Sequence, residues 1–466
     1  MTSNDTARSG GPSDARPPGP RSRDPRSRLP SWAGRNFQLL VTASFITNLG
    51  NSGALIAAAY AVIESGGSAT GVGLVAAART LAMVVFLLIG GAVADRIPRQ
   101  RVMVTANLVN ALSQAAFAVL VLAGHAALWQ MALLTAVGGG AHAFFSPASE
   151  GMVLSTVESA HAGKAFAVFR MSMNGATIGG AAVGGALVAA FGPGWVLAID
   201  ALGFAAAAAM RSRLHVAAGD RPARASGIVG DLREGWREFV SRSWLWGIVV
   251  QFAVVNAVVG AAEAVYGPLV ARDHLGGAGP WGLAMAAFGV GTVGGGLLMM
   301  RWKPRRMLLA GALGVFPLAL PSATLALASP LWILALAMFI TGVAIEVFAV
   351  GWMLALHQEI AEDKMSRVSA YDWFGSVAVT PIALALAGPA ASLFGRTQAL
   401  WGCSAVVVLL TGAVLTLPDV RRLERRTGGG HGVVAGSSVA HADAVPAQPT
   451  VKAPSGGVGE GAADVS

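Results

Sequence analysis

Cysteine, tyrosine and charge are all scarce in this 466-residue chain. Its single cysteine, Cys403, excludes an intrachain disulfide framework and any cysteine-built metal or redox motif, and reads as a packing residue in an apolar segment. Charged residues make up only 12% of the chain, against roughly a quarter in soluble domains, so an ordinary soluble globule is excluded. Period-2 alternation is missing, which excludes a membrane barrel. No short apolar core followed by a small-residue cleavage site opens the chain, and the first hydrophobic stretch is therefore expected to be a retained span. Nucleotide-binding lysine loops, metal-ligand clusters and serine nucleophile elbows are also lacking, so neither ATP drive nor enzymatic chemistry is expected, and no cofactor or metal. One apparent exception, Gly289-Val-Gly-Thr-Val-Gly294, fits a dinucleotide fingerprint but sits inside an apolar run with no preceding strand, and reads as helix packing.

What is present is apolar. Hydrophobic residues reach 54%, mean hydropathy is +0.61, and 60 glycines suit helices packed through small side chains in lipid. The fold class is an all-α membrane protein. Runs long enough to cross a bilayer, which needs about 20 residues, fall near 37–62, 71–94, 102–123, 128–149, 165–190 and 194–213, and again near 244–270, 280–300, 307–328, 331–357, 367–393 and 397–417. Twelve spans in two groups of six give five regions: a polar tail over 1–34, a six-helix bundle over 35–213, a linker over 214–243, a second bundle over 244–420, and a polar tail over 421–466. Composition predicts disorder for both tails. Within the linker, Leu232, Trp236 and Phe239 recur at helical spacing opposite charged residues, which predicts an amphipathic surface helix.

The net charge of +9 would suggest nucleic acid in a soluble protein, but here it has a topological reading. Arg96, Arg99, Arg101, Lys164, Arg211, Arg213, the linker arginines, Arg301, Lys303, Arg305, Arg306, Lys364 and Arg367 fall on one side of the predicted membrane, and Arg272 and Arg396 on the other. Short cytoplasmic loops retain Lys and Arg, so both termini are expected in the cytosol and the chain in the cytoplasmic membrane. The partners expected are the lipid bilayer and a small molecule, with no nucleic acid, and the expected state is a monomer. A shift of 205 residues lays Gly90-Gly91 over Gly295-Gly296, Arg96 over Arg301, Arg101 over Arg306 and Asn51 over Asn256, which indicates a parallel repeat of two halves. Asp95 falls on Met300, so the second copy lacks its acid.

That acid belongs to Gly90-Gly91-Ala92-Val93-Ala94-Asp95-Arg96-Ile97-Pro98-Arg99-Gln100-Arg101, which resembles the signature loop of the major facilitator superfamily. The resemblance covers about residues 37–417 and is nearest to bacterial multidrug and natural-product exporters. It implies a secondary transporter working by alternating access, in which the loop braces the eleventh span, here starting near Arg367, and Arg99 pairs with Glu150 at the end of the fourth. The run Gly175-Ala-Thr-Ile-Gly-Gly-Ala-Ala-Val-Gly-Gly185 resembles the glycine-rich fifth span of exporters, with Ala181 in place of the usual proline; glycines four apart also serve close helix contact. The arginine of many proton-coupled relatives is replaced in the fourth span by Gly138-Gly-Gly-Ala-His142.

Charges inside spanning segments are costly and usually face a cavity or one another. Arg79, Asp200, Glu263, Glu346 and Asp372 are the candidates. Depth allows Arg79 to pair with Asp200 or Glu263. The resemblance places Glu346 and Glu263 on spans lining the central cavity, where a carboxylate can carry a proton or meet a cationic substrate. Asp200 reads as a structural partner. Asn48 and Asn51, His142, Arg170 and Asn174, and Asn256 and Tyr266 supply further polar groups, with Asn256, Glu263 and Tyr266 on one helical face. His142 is too isolated for a metal site. The expectation is export of small hydrophobic compounds by proton antiport; uptake or facilitated diffusion, and a non-transporting receptor or scaffold on the same fold, are the alternatives.

Overall fold

Apolar segments of 20 to 30 residues satisfy their own backbone hydrogen bonds only as helices or closed barrels in lipid, and here they are helices. The computed structural model describes residues 33–158, 161–214, 228–302 and 304–422. Most of both polar tails and residues 215–227 of the linker lie outside the described residues, as does Lys303.

The first half comprises α1 (Arg35–Glu64), α2 (Ala69–Arg96), α3 (Arg99–Leu122), α4 (Leu128–Ser155), α5 (Ala162–Phe191) and α6 (Pro193–Ser212). After the linker helix α7 (Ile228–Val240), the second half comprises α8 (Ser243–Leu275), α9 (Ala278–Arg301), α10 (Met307–Ala326), α11 (Leu331–Glu359), the paired α12 (Glu362–Val377) and α13 (Thr380–Phe394), α14 (Arg396–Val414) and the short α15 (Pro418–Arg422). With α12 and α13 counted as one crossing, these make twelve. Eleven segments meet the length and hydropathy needed to span a membrane among the described residues, and α4, at 28 residues, completes the set.

Helix boundaries follow local chemistry. Gly192, at φ 84°, turns the chain before Pro193 starts α6, and Gly395, at φ 87°, does the same before α14. Glycine adopts this left-handed backbone without a β-carbon clash, and proline at a helix start gives up no needed N–H.

The helices of the first half are continuous, whereas three crossings of the second are interrupted. Two π-helical turns, Ala262–Tyr266 and Ala271–Leu275, lie in α8. A 3₁₀ turn at Phe316–Ala319 divides α10 where Pro317 removes a backbone donor, and residues 378–379 divide α12 from α13 just ahead of Pro381.

Pseudo-symmetry is visible in the packing. α2 packs on α4 as α9 packs on α11, and α3 packs on α6 as α10 packs on α14. Between the halves, α2 meets α13 and α5 meets α9. These are two copies of the same contact, exchanged by the pseudo-twofold. The result is the major facilitator architecture of two six-helix bundles.

The two ends of the molecule differ. Arg99, Arg101, Lys164, Arg211, Arg213, Arg301, Arg305, Arg306 and Lys364 lie at one end of their helices, hereafter the arginine-rich side. Toward the opposite side one continuous core joins both halves, with Tyr60, Val72, Val75, Val188 and Leu197 packed together with Val265, Tyr266, Trp281, Leu334 and Leu384. Toward the arginine-rich side there are two separate cores. One, around Phe37, Leu40, Met103 and Phe169, belongs to the first half, and the other, around Trp244, Ile248, Phe252 and Phe348, belongs to the second.

Glycines make the shared core possible. A β-carbon on Gly185 would stand 2.8 Å from Gly282 Cα, and one on Gly388 would collide with the Thr70 backbone. The glycine-rich run of α5 is therefore a packing surface. Gly180 and Gly184 admit α1, Gly185 admits α9 across the interface, and nothing lies within 4 Å of a β-carbon placed on Gly175. Gly289 and Gly291 admit Ile178 and the α11 backbone, so this fingerprint-like run is helix packing.

The linker helix docks under the second half. Phe239 is buried, Trp236 stacks on it at 5.9 Å, and both meet Tyr371 of α12. Glu238 accepts hydrogen bonds from Arg242 (2.5 Å) and Lys364 (3.1 Å), and these, Arg242 first, hold its carboxyl below the usual carboxylate range. The Leu232 side chain lies outside the described residues.

Candidate substrate cavity

Against the core shared by both halves, a cavity of about 340 Å³ lies between them. Leu55, Ala59, Val72 and Val75 of the first half and Ala264, Trp281, Met285 and Phe288 of the second make its wall largely apolar. Two charged side chains also line it, Arg79 of α2 and Glu263 of α8.

Arg79 is positioned by glycine. A β-carbon on Gly139 of α4 would collide with the Arg79 backbone carbonyl, and Gly138 lies beside Nη1, so the Gly138–Gly140 run lets α4 close around it. Arg79 Nη2 donates to Asn51 Oδ1 at 2.8 Å. Glu263 has no hydrogen bond or ion pair among the described residues.

The face expected to hold Asn256, Glu263 and Tyr266 departs from the 3.6-residue register after Ala261, where the π-helical turn Ala262–Tyr266 widens the helix between Glu263 and Tyr266. Asn256 Nδ2 donates to Ser376 O at 3.0 Å and Tyr266 Oη to Ala387 O at 2.6 Å, so both tie α8 to the α12–α13 crossing. Glu263 is left facing the cavity.

Of the two partners that depth allows Arg79, Asp200 is the one that acts on it electrostatically. No direct bond joins it to Asp200 or Glu263; it lies within electrostatic reach of Asp200, and its hydrogen bond goes to Asn51. Asp200 is 2% exposed, and its Oδ2 accepts from Gln114 Nε2 at 2.8 Å. A β-carbon on Gly50 would collide with the other oxygen, Oδ1, which has no hydrogen-bond partner. Gln114 drew no attention in the sequence because amides in spans are common helix glue.

Glu346 stands apart from Glu263. It lies on α11 against Gly295 and within electrostatic reach of Arg170 of α5, so this attraction also crosses between the halves. Asp372 accepts from Trp352 Nε1 at 2.9 Å. Asn48 donates to Met173 O and Thr177 Oγ1, tying α1 to α5. Asn174 is exposed, and His142 lines a separate pocket inside the first half.

Of the signature loop, Gly90, Gly91, Asp95 and Arg96 lie on α2 and Glu150 on α4, but their side chains fall outside the described residues. Arg99 begins α3. Exposed Arg101 lines a larger cavity of about 560 Å³ walled by α2, α3 and α4. That cavity lies within one half, so a rocking motion between halves would not carry it across the membrane.

The two arginines on the arginine-poor side are both compensated. Arg272 Nε and Arg396 Nη1 bond the two oxygens of Asp273 at 2.8 and 2.7 Å.

Known proteins agree with this architecture. At 28% identity, the chain aligns with the multidrug efflux pump Tap of Mycolicibacterium fortuitum over 83% of its own length and 96% of that protein. At 27% identity it aligns with the protein of the same name from Mycobacterium tuberculosis over 83% and 94%. Among solved structures, a mutant of the nucleoside transporter NupG superposes with a TM-score of 0.68 at 12% identity, covering 82% of this chain and 99% of that one. A D-xylose–proton symporter gives 0.61 at 15%, covering 83% and 98%. These two show the fold alone. The model of the Major Facilitator Superfamily matches residues 40–380, and with its twelve helices, repeated halves and interfacial cavity the chain belongs to that superfamily of membrane transporters.

Proposed function

We propose that the chain exports small hydrophobic compounds across the cytoplasmic membrane by proton antiport, with both termini and the arginine-rich side in the cytosol. The observation that carries this reading is the cavity between the halves, which is apolar enough for a lipophilic compound and holds one carboxylate, Glu263, with no fixed partner. A carboxylate so placed can accept a proton or a cationic group of the cargo, and the two would compete for it. The names of the Tap relatives support export over uptake.

With the halves joined on the arginine-poor side and separate on the other, this conformation is the inward-facing one, ready to receive cargo from the cytosol or inner leaflet. Alternating access would part the α5–α9 and α2–α13 contacts and close the arginine-rich side. There Asp95 would receive the N-terminus of α12, where an anion is favoured by the helix dipole, and Arg99 would pair with Glu150. Protonation of Glu263 or Glu346 would bias the two states, since a ligand shifts only states that bind it differently.

The test uses everted vesicles and a panel of lipophilic dyes and antibiotics, comparing wild type with Glu263→Gln, Glu346→Gln and Asp95→Asn, with and without a protonophore. Gradient-dependent accumulation of at least one compound, lost in Glu263→Gln, is expected. Accumulation of none would remove export. Accumulation indifferent to the protonophore would remove antiport, and full activity in Glu263→Gln would remove that residue.

A further inference from the structure

A second polar site lies inside the first half, separate from the cavity between the halves. Helices α1, α3, α4, α5 and α6 enclose a pocket of about 150 Å³ whose lining includes Ser44, Thr47, Asn107, Asn110, His142 and Ser149. A bundle interior in lipid needs none of these groups for packing alone, and each must find a partner or carry a desolvation cost.

Several groups here have no partner. Asn107 is 1% exposed, and its Nδ2 makes no hydrogen bond. Arg211 of α6 is fully buried just behind the lining, of which it is not itself part. It donates from Nη2 to the lining Ser44 Oγ at 2.9 Å, and its guanidinium lies over the lining Phe145, 4.6 Å from the ring centroid. Its Nε and Nη1 have no hydrogen-bond partner, and no ion pair engages it among the described residues.

All three orphaned atoms are donors. Asp200 Oδ1, the unpaired buried acceptor of this half among the described residues, is held against Gly50 and, unlike Ser44 and Phe145, which Arg211 contacts, is not part of the lining. Water would satisfy a donor but would bring its own hydrogens and leave the guanidinium charge uncompensated in a low-dielectric interior, where an unpaired ion is very costly. An anion satisfies donors and charge together, and the volume suits one small ion with a few waters.

We propose that this pocket binds a small monovalent inorganic anion of chloride size, held by Arg211 with Asn107 and Ser44. The bound ion ties α6 to α1 and α3 at the arginine-rich end of the first half and neutralises the buried guanidinium. The site lies within one half, so it is independent of cargo and direction.

The test is thermal unfolding of the purified full-length protein in detergent, titrated with sodium chloride against sodium gluconate at constant ionic strength, together with bromide soaked into crystals and located by anomalous scattering. The expected result is a saturable rise in melting temperature with chloride or bromide and none with gluconate, of roughly 2–4 °C well above the midpoint, with the bromide peak between Arg211 and Asn107. Asn107→Leu should move the chloride midpoint up at least tenfold, whereas Ser322→Ala, which removes an unpaired hydroxyl from the second half, should leave it in place. This comparison holds even if Arg211→Gln fails to fold. Equal melting in chloride and gluconate would overturn the proposal in favour of an ordered water cluster, as would bromide only elsewhere or an unchanged midpoint in Asn107→Leu.

Discussion

On the arginine-poor side the two halves share one hydrophobic core, and on the arginine-rich side each half has its own. The same twelve helices build both ends, so the difference lies in which side chains the facing helices present. The shared side is sealed by glycine against backbone, Gly185 with Gly282 and Gly388 with Thr70. Such contacts hold two helices close through dispersion and are lost together when the helices part. Away from that seal, the halves are linked in another way, by an electrostatic attraction between Arg170 and Glu346. A seal of close packing on one side, with attraction away from it, suits an interface that opens at either end.

Several substitutions would break or sharpen this contrast. The largest effect is expected from Gly282→Leu, whose side chain would meet the Ala181 carbonyl and wedge α5 from α9. Overpacking of this kind costs about 1–3 kcal/mol, enough to shift a two-state equilibrium by roughly tenfold or more. Transport should fall at least tenfold, and labelling of a cysteine placed at Ser52 by an impermeant reagent from the arginine-poor side should rise.

Next comes Arg79→Gln, which removes the cavity's cation and the Asn51 bond while keeping the glycine-made space. Loss of most transport with wild-type expression is expected, and vesicle assays read it directly.

A smaller effect is expected from Asn48→Ala, which removes a tie within the first half and leaves the interface intact. Interhelical hydrogen bonds in membranes average about 0.6 kcal/mol, so unfolding in detergent should shift slightly while transport persists.

The smallest concerns Glu238. Its carboxyl is held below the usual range by Arg242 and Lys364, so its stabilisation is complete above the ordinary carboxylate value and is lost as pH falls through the depressed one. A surface pair of this type contributes about 0.2–1 kcal/mol. The melting temperatures of wild type and Glu238→Gln should therefore differ at neutral pH and converge in acid.

Much of the architecture was legible in the chain, because lipid forces each long apolar run into a helix and loop arginines mark one side. The predicted span 244–270 is a helix over Ser243–Leu275, and 331–357 is one over Leu331–Glu359. The site was legible only in outline. Arg79 and Glu263 stand out as charges in apolar runs, but that they line one cavity depends on how α2 and α8 are rotated. A π-helical turn, which no residue pattern announces, breaks the register of α8 between Glu263 and Tyr266. By sequence Arg211 reads as a loop arginine because it lies at the end of its span, and only the packing of α6 against Ser44 and Phe145 shows it buried. In the sequence the triplet Gly138–Gly140 stands where many relatives have an arginine, and its role in making room for Arg79 shows only in the α2–α4 pair.

The central claim is that the two ends open alternately, and distances between paired spin labels test it most directly. With Cys403→Ala as background, one pair at Ser65 and Ser329 reports the arginine-poor side, and another at Glu158 and Ala361 reports the arginine-rich side. In proteoliposomes, acidification or addition of a transported compound should lengthen the first distance while shortening the second. Both distances unchanged, or both moving in the same direction, would contradict alternating access in this chain.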